Sequence, residues 1–225
     1  MTTQLTDLLK KNPEFSPVII SDRPHKQLDF SGTNHKLMKT DLSDTAVFTK
    51  YVFEEMLSSS TFNGIGGYDE HRVIYRKLKH FVQEEENPRC IHLGVDIWAP
   101  AGEPVYAPLK GKVHSFAFNN NMGDYGPTII LEHELDGATF YTLYGHLSMS
   151  SITGLHENKT FMAGEKIGEI GNYPINGDWP PHLHFQVIED MGNYKGDFPG
   201  VCSIRDRSFY LSSCPDPNLI LRIGY

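Results

Sequence analysis

Short β-prone segments dominate the chain after Cys90. Apolar residues recur there in brief runs, and Gly, Pro, Asn and Asp separate the runs at intervals of roughly a dozen residues. The runs are CIHLGVDIWAP, PVYAPLKGKVHSFAFN, GPTIILEHEL, ATFYTLYGHLS, EKIGEIGN and HLHFQVIE. This rhythm predicts a mainly β fold, with an antiparallel sheet arranged as an open, barrel-like sandwich.

The N-terminal part has a different pattern. Apolar residues follow helical spacing in TDLLKKN and again in DTAVFTKYVFEEMLSSS. In the second segment we predict a helix over 44–57 with Asp44 as its N-cap. Its predicted apolar stripe consists of Val47, Tyr51, Phe53, Met56 and Leu57. A glycine-rich loop, FNGIGGYDEHRVIYR, and a charged turn, HFVQEEENPR, follow. We therefore predict a partly helical N-terminal extension at residues 1–85 and a second domain at 86–225, loop-rich after Met191.

Composition limits the partners. Hydrophobic residues make up 39% and charged residues 21% of the 225 residues, which is typical of a globular protein. A formal net charge of −8 weighs against binding to nucleic acid or to an anionic membrane. The N-terminal residues lack the pattern of a secretory signal, and no apolar run is long enough to span a bilayer. The sequence as given therefore predicts a cytoplasmic location.

The cysteines indicate no disulfide framework. The chain contains three, Cys90, Cys202 and Cys214, and none stands at CxxC spacing. One alternative is a Cys202–Cys214 bridge, but free thiols in a reducing compartment are favoured.

Two histidines stand one residue apart in the strand-like run HLHFQVIE. Side chains alternate along a strand, so His182, His184 and Gln186 share one face. The opposite face is apolar and consists of Leu183, Phe185 and Val187. Two interpretations follow: half-exposed histidines on a solvated face, or a metal ligand beside a catalytic acid or base.

The run IHLGVDIWAPAG offers two further candidate ligands. His92 and Asp96 share a face at i and i+4, and Gly94 between them permits a kink or a close backbone approach. Together with His184 they form a His₂Asp set with a fourth position open to water, which is typical of a catalytic zinc site. Such a set also binds iron(II), so the residue types alone leave the metal open.

A third histidine candidate ends the strand-like run YTLYGHLS. Alternation predicts that Thr142, Tyr144 and His146 share a face, with His146 at the strand end, where catalytic groups commonly project into a cleft. We expect Trp179, which precedes the His-x-His strand, to line a substrate groove. The other histidines are most simply surface or core residues, with slightly more weight on His71 in its glycine-flanked loop. They are His25, His35, His71, His80, His114, His133 and His156.

Several motifs occur together in a specific order: HLGVD, APAGEPVYAPLKGKV, YGHLS, GEKIGEIGN and HLHF. Over about residues 90–190 this arrangement resembles the lysostaphin-type zinc endopeptidases, the LytM-like family of peptidoglycan cross-bridge hydrolases. The resemblance implies a β-rich fold with a groove between loops, and hydrolysis of peptide bonds in cell-wall peptides, often beside glycine or D-alanine. It implies that His92, Asp96 and His184 bind zinc, and that His146 and His182 are catalytic histidines that do not bind the metal.

The chain departs from that family pattern at two places. The family commonly has a glutamate where this chain has Gln186, so we expect altered tuning of the site and not its loss. The approach to the His-x-His strand is the bulky loop NYPINGDWPP, which makes the substrate an open question.

A looser resemblance links YDEHRVIYR, WPPHLHFQVIED, GDFPGVC and CPDPNLIL to a subgroup fused between a kinase-like domain and a class III aminotransferase. That resemblance suggests a cytosolic role.

These observations leave three functional hypotheses. The leading one is a zinc-dependent peptidase acting on peptidoglycan-type cross-bridges or muropeptide fragments. The second is a cytosolic zinc hydrolase linked to small-molecule amino-alcohol metabolism. The third is a non-catalytic binding scaffold, against which the complete set of five site residues counts. Two interpretations apply to the N-terminal extension. Either it packs along the groove and restricts access, or it only covers an exposed sheet edge. In the first case its glycine-rich loop would meet a metal or a charged peptide through Tyr68, Asp69, Glu70, His71 and Arg72.

Overall fold

The computed structural model describes residues 4–12, 14–58, 61–77 and 87–224. The strands are β1 (His25–Leu28), β2 (Asn63–Gly66), β3 (Arg89–His92), β4 (Val95–Trp98), β5 (Pro104–Tyr106), β6 (Gly111–Asn119), β7 (Gly126–Leu135), β8 (Ala138–Gly145), β9 (Thr160–Phe161), β10 (Lys166–Glu169), β11 (Leu183–Ile188) and β12 (Val201–Ser203). The α-helices are α1 (Gln4–Lys11), α2 (Thr45–Lys50), α3 (Met149–Ile152), α4 (Arg207–Ser213) and α5 (Asn218–Leu221). Short 3₁₀-helices lie at Leu37–Lys39 and Ile74–Lys77, and a π-helix lies at Tyr51–Met56.

One large sheet organises the described part of the chain. Its eight strands run in the order β1-β2-β4-β11-β8-β7-β6-β9. All neighbours are antiparallel except β1 and β2, which are parallel. Two small antiparallel sheets, β5–β10 and β3–β12, accompany it. The prediction of a mainly β, antiparallel fold is confirmed, and the sheet is open because β1 and β9 form its two edges.

The central strand β11 separates the hydrophobic core from the candidate site. Leu183, Phe185 and Val187 are fully buried in the largest apolar cluster, where the Phe185 ring lies 5.4 Å from the ring of Tyr144. Burial of one such side chain contributes about 1.5–3 kcal/mol. Successive side chains on a strand point to opposite faces. Because Leu183, Phe185 and Val187 face the core, His184 and Gln186 lie on the opposite face. The predicted division of the strand is confirmed.

The predicted helix of the N-terminal extension is also confirmed. The Asp44 carboxylate caps α2 by accepting hydrogen bonds from the backbone N–H groups of Ala46 and Val47, at 2.9 and 3.1 Å. The predicted apolar stripe is wrong at Val47, which is 42% exposed. Phe48 is buried in its place, because its ring packs against an aromatic cluster formed with Trp98.

The extension continues the large sheet beyond the segment that carries the site motifs. Strand β2 pairs with β4 in a register that places Gly64 opposite Trp98 and Gly66 opposite Asp96. Strand β1 then adds to β2. This pairing confirms that the extension covers a sheet edge, whereas the alternative that it packs along the groove and restricts access stays a prediction. The predicted boundary between residues 85 and 86, and most of the predicted charged turn before it, lie outside the described residues.

All three cysteines are buried and free, so the prediction of free thiols is confirmed and Cys202 and Cys214 form no bridge. They lie in one apolar cluster with Ile91. Among the helices of the described ranges, none combines the length and the apolar character needed to cross a bilayer.

Buried His133 gives the fold a sensitivity to acid. Its Nδ1–H donates to the Lys110 carbonyl at 3.0 Å, its Nε2 lies 2.7 Å from the Thr142 hydroxyl, and burial lowers its pKa to about 4. A depressed histidine pKa contributes stability that is complete above the unfolded-state value of about 6.5 and is lost as the pH falls towards 4. We expect His133→Gln to reduce the pH slope of the unfolding free energy by about 1.4 kcal/mol per pH unit in this window. Urea unfolding of both metal-free proteins between pH 6.5 and 4.5 measures this slope, and parallel curves would contradict the assignment.

Candidate active site

Three donor atoms meet on the polar face of the sheet. His184 lies opposite Asp96 across the β4–β11 pair, and His92 lies at the end of β3. His92 Nε2 lies 3.0 Å from His184 Nδ1 and 3.2 Å from Asp96 Oδ1. The distance between His184 Nδ1 and Asp96 Oδ1 is 3.0 Å. Ligand atoms at about 2.0–2.2 Å from a tetrahedral zinc ion are separated by about 3.4 Å. The donor triangle is close to that size, so the three residues fit a zinc ion.

Hydrogen bonds fix which nitrogen of each imidazole is the donor atom. His92 Nδ1–H donates to the Gly67 carbonyl at 2.8 Å, and His184 Nε2–H donates to Gln186 Oε1 at 3.0 Å. The remaining nitrogens, His92 Nε2 and His184 Nδ1, therefore direct their lone pairs at the shared centre. Partners of this kind orient metal-binding histidines in proteins.

The charge state of the triad suits a metal ion. Burial, reinforced by the neighbouring Arg72 guanidinium, lowers the pKa of His92 to about 4, so its imidazole is neutral near pH 7. Burial alone would raise the pKa of the Asp96 carboxyl, but His92 and Arg72 beside it hold that pKa well below its usual range. A neutral imidazole and an ionised carboxylate are the forms in which these residues bind metals.

Two further histidines lie beside the triad without joining it. The rings of His146 and His182 are 4.2 Å apart, and both residues are buried. The Nδ1–H of His146 donates to the Asn176 carbonyl and that of His182 to the Pro180 carbonyl, both at 2.7 Å. Burial lowers the pKa of His182 to about 4 and that of His146 well below its usual value. Each Nε2 is therefore a proton acceptor at neutral pH.

The side chain of His146 lies beside His182 because of a backbone conformation that strand alternation did not predict. Tyr144 faces the core against Phe185, and Thr142 bonds to the Tyr144 hydroxyl, so strict alternation would turn His146 to the core as well. His146 instead adopts a left-handed backbone with φ of 63°, and its N–H donates to the Tyr125 carbonyl at 2.7 Å. The prediction that Thr142, Tyr144 and His146 share a face is wrong, whereas the predicted location of His146 at the strand end is right.

A cavity of about 620 Å³ opens in front of these groups. Asp96, His146, His182 and His184 lie in its wall, and so does Trp179, as expected for a groove residue. The remaining lining residues are mainly polar or aromatic: Arg72, Ile74, Tyr75, Arg89, Asn121, Gly123, Asp124, Tyr125, Tyr194, Asp197, Phe198, Pro199, Gly200 and Val201. The cavity can therefore hold a small polar ligand or a short peptide segment in contact with the histidines.

Two tryptophans hold the His182 ring. Trp98 stacks on it with ring centroids 4.1 Å apart and an interplanar angle of 17°, and Trp179 approaches it edge-on at 6.3 Å. Phe30 and Phe48 of the extension pack against Trp98 in turn. The His182 ring is therefore confined before any ligand arrives.

The loop YDEHR meets the candidate ligands through one side chain, that of Arg72. Arg72 donates to Asp96 Oδ2 at 2.5 Å. The Tyr68 hydroxyl bonds to the Cys214 carbonyl, Asp69 pairs with Arg207, and Glu70 pairs with Arg72. His71 is exposed, and within the described ranges the cluster of possible metal donors contains none of the other histidines. His80 lies outside the described residues.

Sequence reasoning missed two residues of the site, Tyr75 and Tyr125, and it named Arg72 only as one of five polar loop residues, without its contact to Asp96. The Tyr125 hydroxyl lies 3.4 Å from His184 Nε2, and the Tyr75 hydroxyl accepts from Arg72 Nη1 at 3.2 Å. Arg72 and Tyr75 precede the site motifs, and the β2–β4 pairing together with backbone hydrogen bonds to β3 brings their loop to the ligands. The glycine-flanked charged loop was the available signal, and it did not distinguish Arg72 from the other polar residues of the loop.

Gln186 makes contacts that a glutamate could not reproduce. Its Oε1 accepts from His184, while its amide donates to the Pro199 carbonyl at 3.1 Å and contacts the Cys214 sulfur at 3.4 Å. In Gln186→Glu a carboxylate oxygen would face the Pro199 carbonyl without a proton between them. We expect this buried change to lower the unfolding free energy by about 1–3 kcal/mol at pH 7 while the three donor atoms stay in place.

Denaturant unfolding over a pH series measures this effect. The deficit should shrink as the pH falls, because the protonated glutamic acid can again donate to Pro199. A variant as stable as wild type at pH 7, or a deficit independent of pH, would contradict the assigned hydrogen bonds.

Comparison with known proteins places the site in a family context. Residues 90–195 match the model of Peptidase family M23. The chain is 29% identical over 126 residues to the DD-carboxypeptidase/endopeptidase Mpg of Neisseria meningitidis, a match that covers 54% of this chain and 26% of that protein. It is 32% identical over 94 residues to the uncharacterized lipoprotein YgeR of Escherichia coli, covering 42% and 33% of the two chains. This chain thus spans a quarter to a third of the length of these relatives.

Among solved structures, the catalytic domain of the antimicrobial peptidase lysostaphin from Staphylococcus simulans is 25% identical, with a TM-score of 0.37. That match covers 54% of this chain and 80% of the lysostaphin domain. A zinc containing peptidase from Vibrio cholerae is 27% identical with a TM-score of 0.33, covering 44% and 27% of the two chains.

Proposed function

We propose that this chain, which carries a peptidase family M23 domain at residues 90–195, is a zinc-dependent endopeptidase. Its substrates would be peptide bonds in peptidoglycan-type cross-bridges or muropeptide fragments. One observation carries the proposal: His92, Asp96 and His184 direct three donor atoms at one centre, and Asp96 and His184 line the cavity that also holds the paired rings of His146 and His182. The name of one sequence relative, a DD-carboxypeptidase/endopeptidase, supports the substrate class.

The residues that would hold the zinc ion are His92 through Nε2, Asp96 through Oδ1 and His184 through Nδ1. Three protein donors are typical of a catalytic zinc site, whereas a structural site has four. When bound, the metal supplies Lewis-acid chemistry: it polarises a carbonyl and makes water a stronger nucleophile near neutral pH.

The proton transfers fall to the two histidines. A neutral Nε2 of His146 or His182 accepts a proton from the attacking water, and the resulting imidazolium can return that proton to the leaving amine. That imidazolium carries its new proton on Nε2, so before it protonates the amine it can also donate a hydrogen bond to the oxyanion that develops on the scissile carbonyl. The rings lie 4.2 Å apart, so either of them can take this role beside a neutral partner. Both rings are held by backbone carbonyls at Nδ1, so each presents Nε2 to the reaction without prior reorientation.

The cavity wall favours a peptide with polar and charged groups. Besides the aromatic rings of Tyr125 and Trp179, it contains the carboxylates of Asp124 and Asp197 and the guanidinium of Arg89. Such mixed walls match the amide, ammonium and carboxylate groups of a short peptide.

A digestion panel tests the proposal. The zinc-loaded protein is incubated with purified peptidoglycan and with short glycine or D-alanine peptides, with and without chelator, and new amino termini are identified by mass spectrometry. We expect cleavage of at least one member, abolished by the chelator and retained by His133→Gln, a control at a buried histidine outside the cavity. Zinc binding without cleavage of any member, or cleavage insensitive to chelator, would reject the proposal.

A further inference from the structure

Two of the three candidate ligands are held by a loop that lies outside the family match. Residues 66–72 precede the matched segment, which begins at residue 90. The Gly67 carbonyl accepts from His92 Nδ1 at 2.8 Å, and Arg72 Nη1 donates to Asp96 Oδ2 at 2.5 Å. By contrast, the partners of His184 are Gln186 and Tyr125, which belong to the matched segment.

We propose that the loop 66–72 is a built-in part of the zinc site, in which Gly67 orients His92 and Arg72 restricts Asp96 to a single donor oxygen. The inference rests on the zinc site of the proposed function. It gives the N-terminal extension a positive role in the active site, beyond covering a sheet edge.

Arg72 is held from several sides. Its guanidinium is fully buried, with Nε on Glu70 at 2.8 Å, Nη1 shared between Asp96 and the Tyr75 hydroxyl, and the Phe30 ring 5.2 Å away. A buried charge with this many partners does not leave its place without a large loss of stability. Asp96 Oδ2 is therefore occupied, and Oδ1 remains as the atom that faces His92 and His184.

Backbone hydrogen bonds tie the same loop to the ligand strands. The N–H of Asp69 donates to the His92 carbonyl at 2.8 Å, and the N–H of His92 donates to the Glu70 carbonyl at 3.0 Å. Gly66 lies directly opposite Asp96 in the β2–β4 register. A shift of the loop is therefore transmitted to two ligands at once.

Gly66 offers a test that removes neither a charge nor a ligand. A Cβ at Gly66 would lie 2.4 Å from Arg72 Nη2 and 3.3 Å from the Asp96 Cβ, so Gly66→Ala must displace the guanidinium. Gly32→Ala is the matched control: it makes the same change in the same extension, but its Cβ would meet only the Val73 side chain at 3.6 Å. Zinc affinity is measured by competition with a chromogenic chelator on the full chain, with circular dichroism as a check of folding.

We expect Gly66→Ala to weaken zinc binding about 10–100-fold, the usual effect of losing a partner of a metal ligand, and Gly32→Ala to bind like wild type. Arg72→Lys should fall between them, because an ammonium cannot bridge Glu70 and Asp96 as a guanidinium fork does. Arg207→Met should bind like wild type, because Arg207 pairs with Asp69 of the same loop at the surface, away from the ligands.

Wild-type zinc affinity in both folded Gly66→Ala and folded Arg72→Lys would overturn the inference. Because affinity is measured without a peptide substrate, the result is independent of the proposed reaction. A wild-type protein that binds zinc but cleaves nothing rejects the proposed function alone. Normal zinc affinity of the two variants, alongside chelator-sensitive hydrolysis by wild type, rejects the role of the loop alone.

Discussion

Replacing His92 by alanine is expected to abolish zinc binding and peptide hydrolysis together. His92 supplies one of only three protein donors in the proposed site, so its loss should weaken zinc binding by more than the roughly 100-fold typical of losing an outer partner. The buried Asp96 carboxylate also loses a neighbour that keeps its pKa low. Metal analysis after zinc reconstitution and gel filtration measures the bound zinc.

The control for this variant is His133→Gln, which alters another buried histidine far from the donor triangle and should keep one zinc ion per chain. A full equivalent of zinc in folded His92→Ala would remove His92 from the ligand set.

Replacing His182 by alanine is expected to leave zinc bound but to lower kcat/KM by about 10²–10⁴. The His182 side chain bonds to the Pro180 carbonyl and stacks on Trp98, and it is not part of the donor triangle. Its loss therefore removes a proton acceptor and not a ligand. Kinetics at equal zinc occupancy, with His184→Ala as the metal-losing comparison on the same strand, measure the separation.

Release of zinc by His182→Ala would show that the division between ligand and catalytic histidine on this strand is wrong. Unchanged turnover at full zinc occupancy would show that His146 alone carries the proton transfers.

The features that sequence predicted best are those set by local periodicity. The alternation in β11 assigned Phe185 to the core and His184 to the site, because a one-residue slip would turn the apolar side chains away from the core. The Asp44 cap was equally local, since its carboxylate bonds only to the next turn. The order of the motifs resembles that of the lysostaphin-type family, and this resemblance identified His92, Asp96 and His184 as one ligand set. The structure brings the three residues within hydrogen-bond distance of one another.

The features that sequence missed depend on non-local contacts or on single dihedral angles. Arg72 reaches Asp96 because β2 pairs with β4, and nothing in the spacing of the loop specifies that register. The His146 side chain turns into the cavity because His146 itself adopts a positive φ. A β-prone run that ends in Gly-His does not predict that backbone conformation. The predicted stripe of the extension helix fails at Val47, although Tyr51 and Leu57 are buried as predicted, because Phe48 packs on Trp98, a partner 50 residues away along the chain.

The predicted consequence of Gln186 also changes with the structure. Sequence comparison suggested a missing charge next to a ligand, whereas the amide simultaneously accepts from His184 and donates to Pro199. The glutamine is thus matched to its own surroundings, and both of its polar atoms are used.

The decisive measurement is a zinc titration of the metal-free protein, followed by hydrolysis of a susceptible peptide from the digestion panel. We expect no hydrolysis before zinc is added, a linear rise in rate with added zinc, and saturation at one zinc ion per chain. Hydrolysis that persists in the metal-free protein, or that saturates at a different stoichiometry, would contradict a single catalytic zinc site formed by His92, Asp96 and His184.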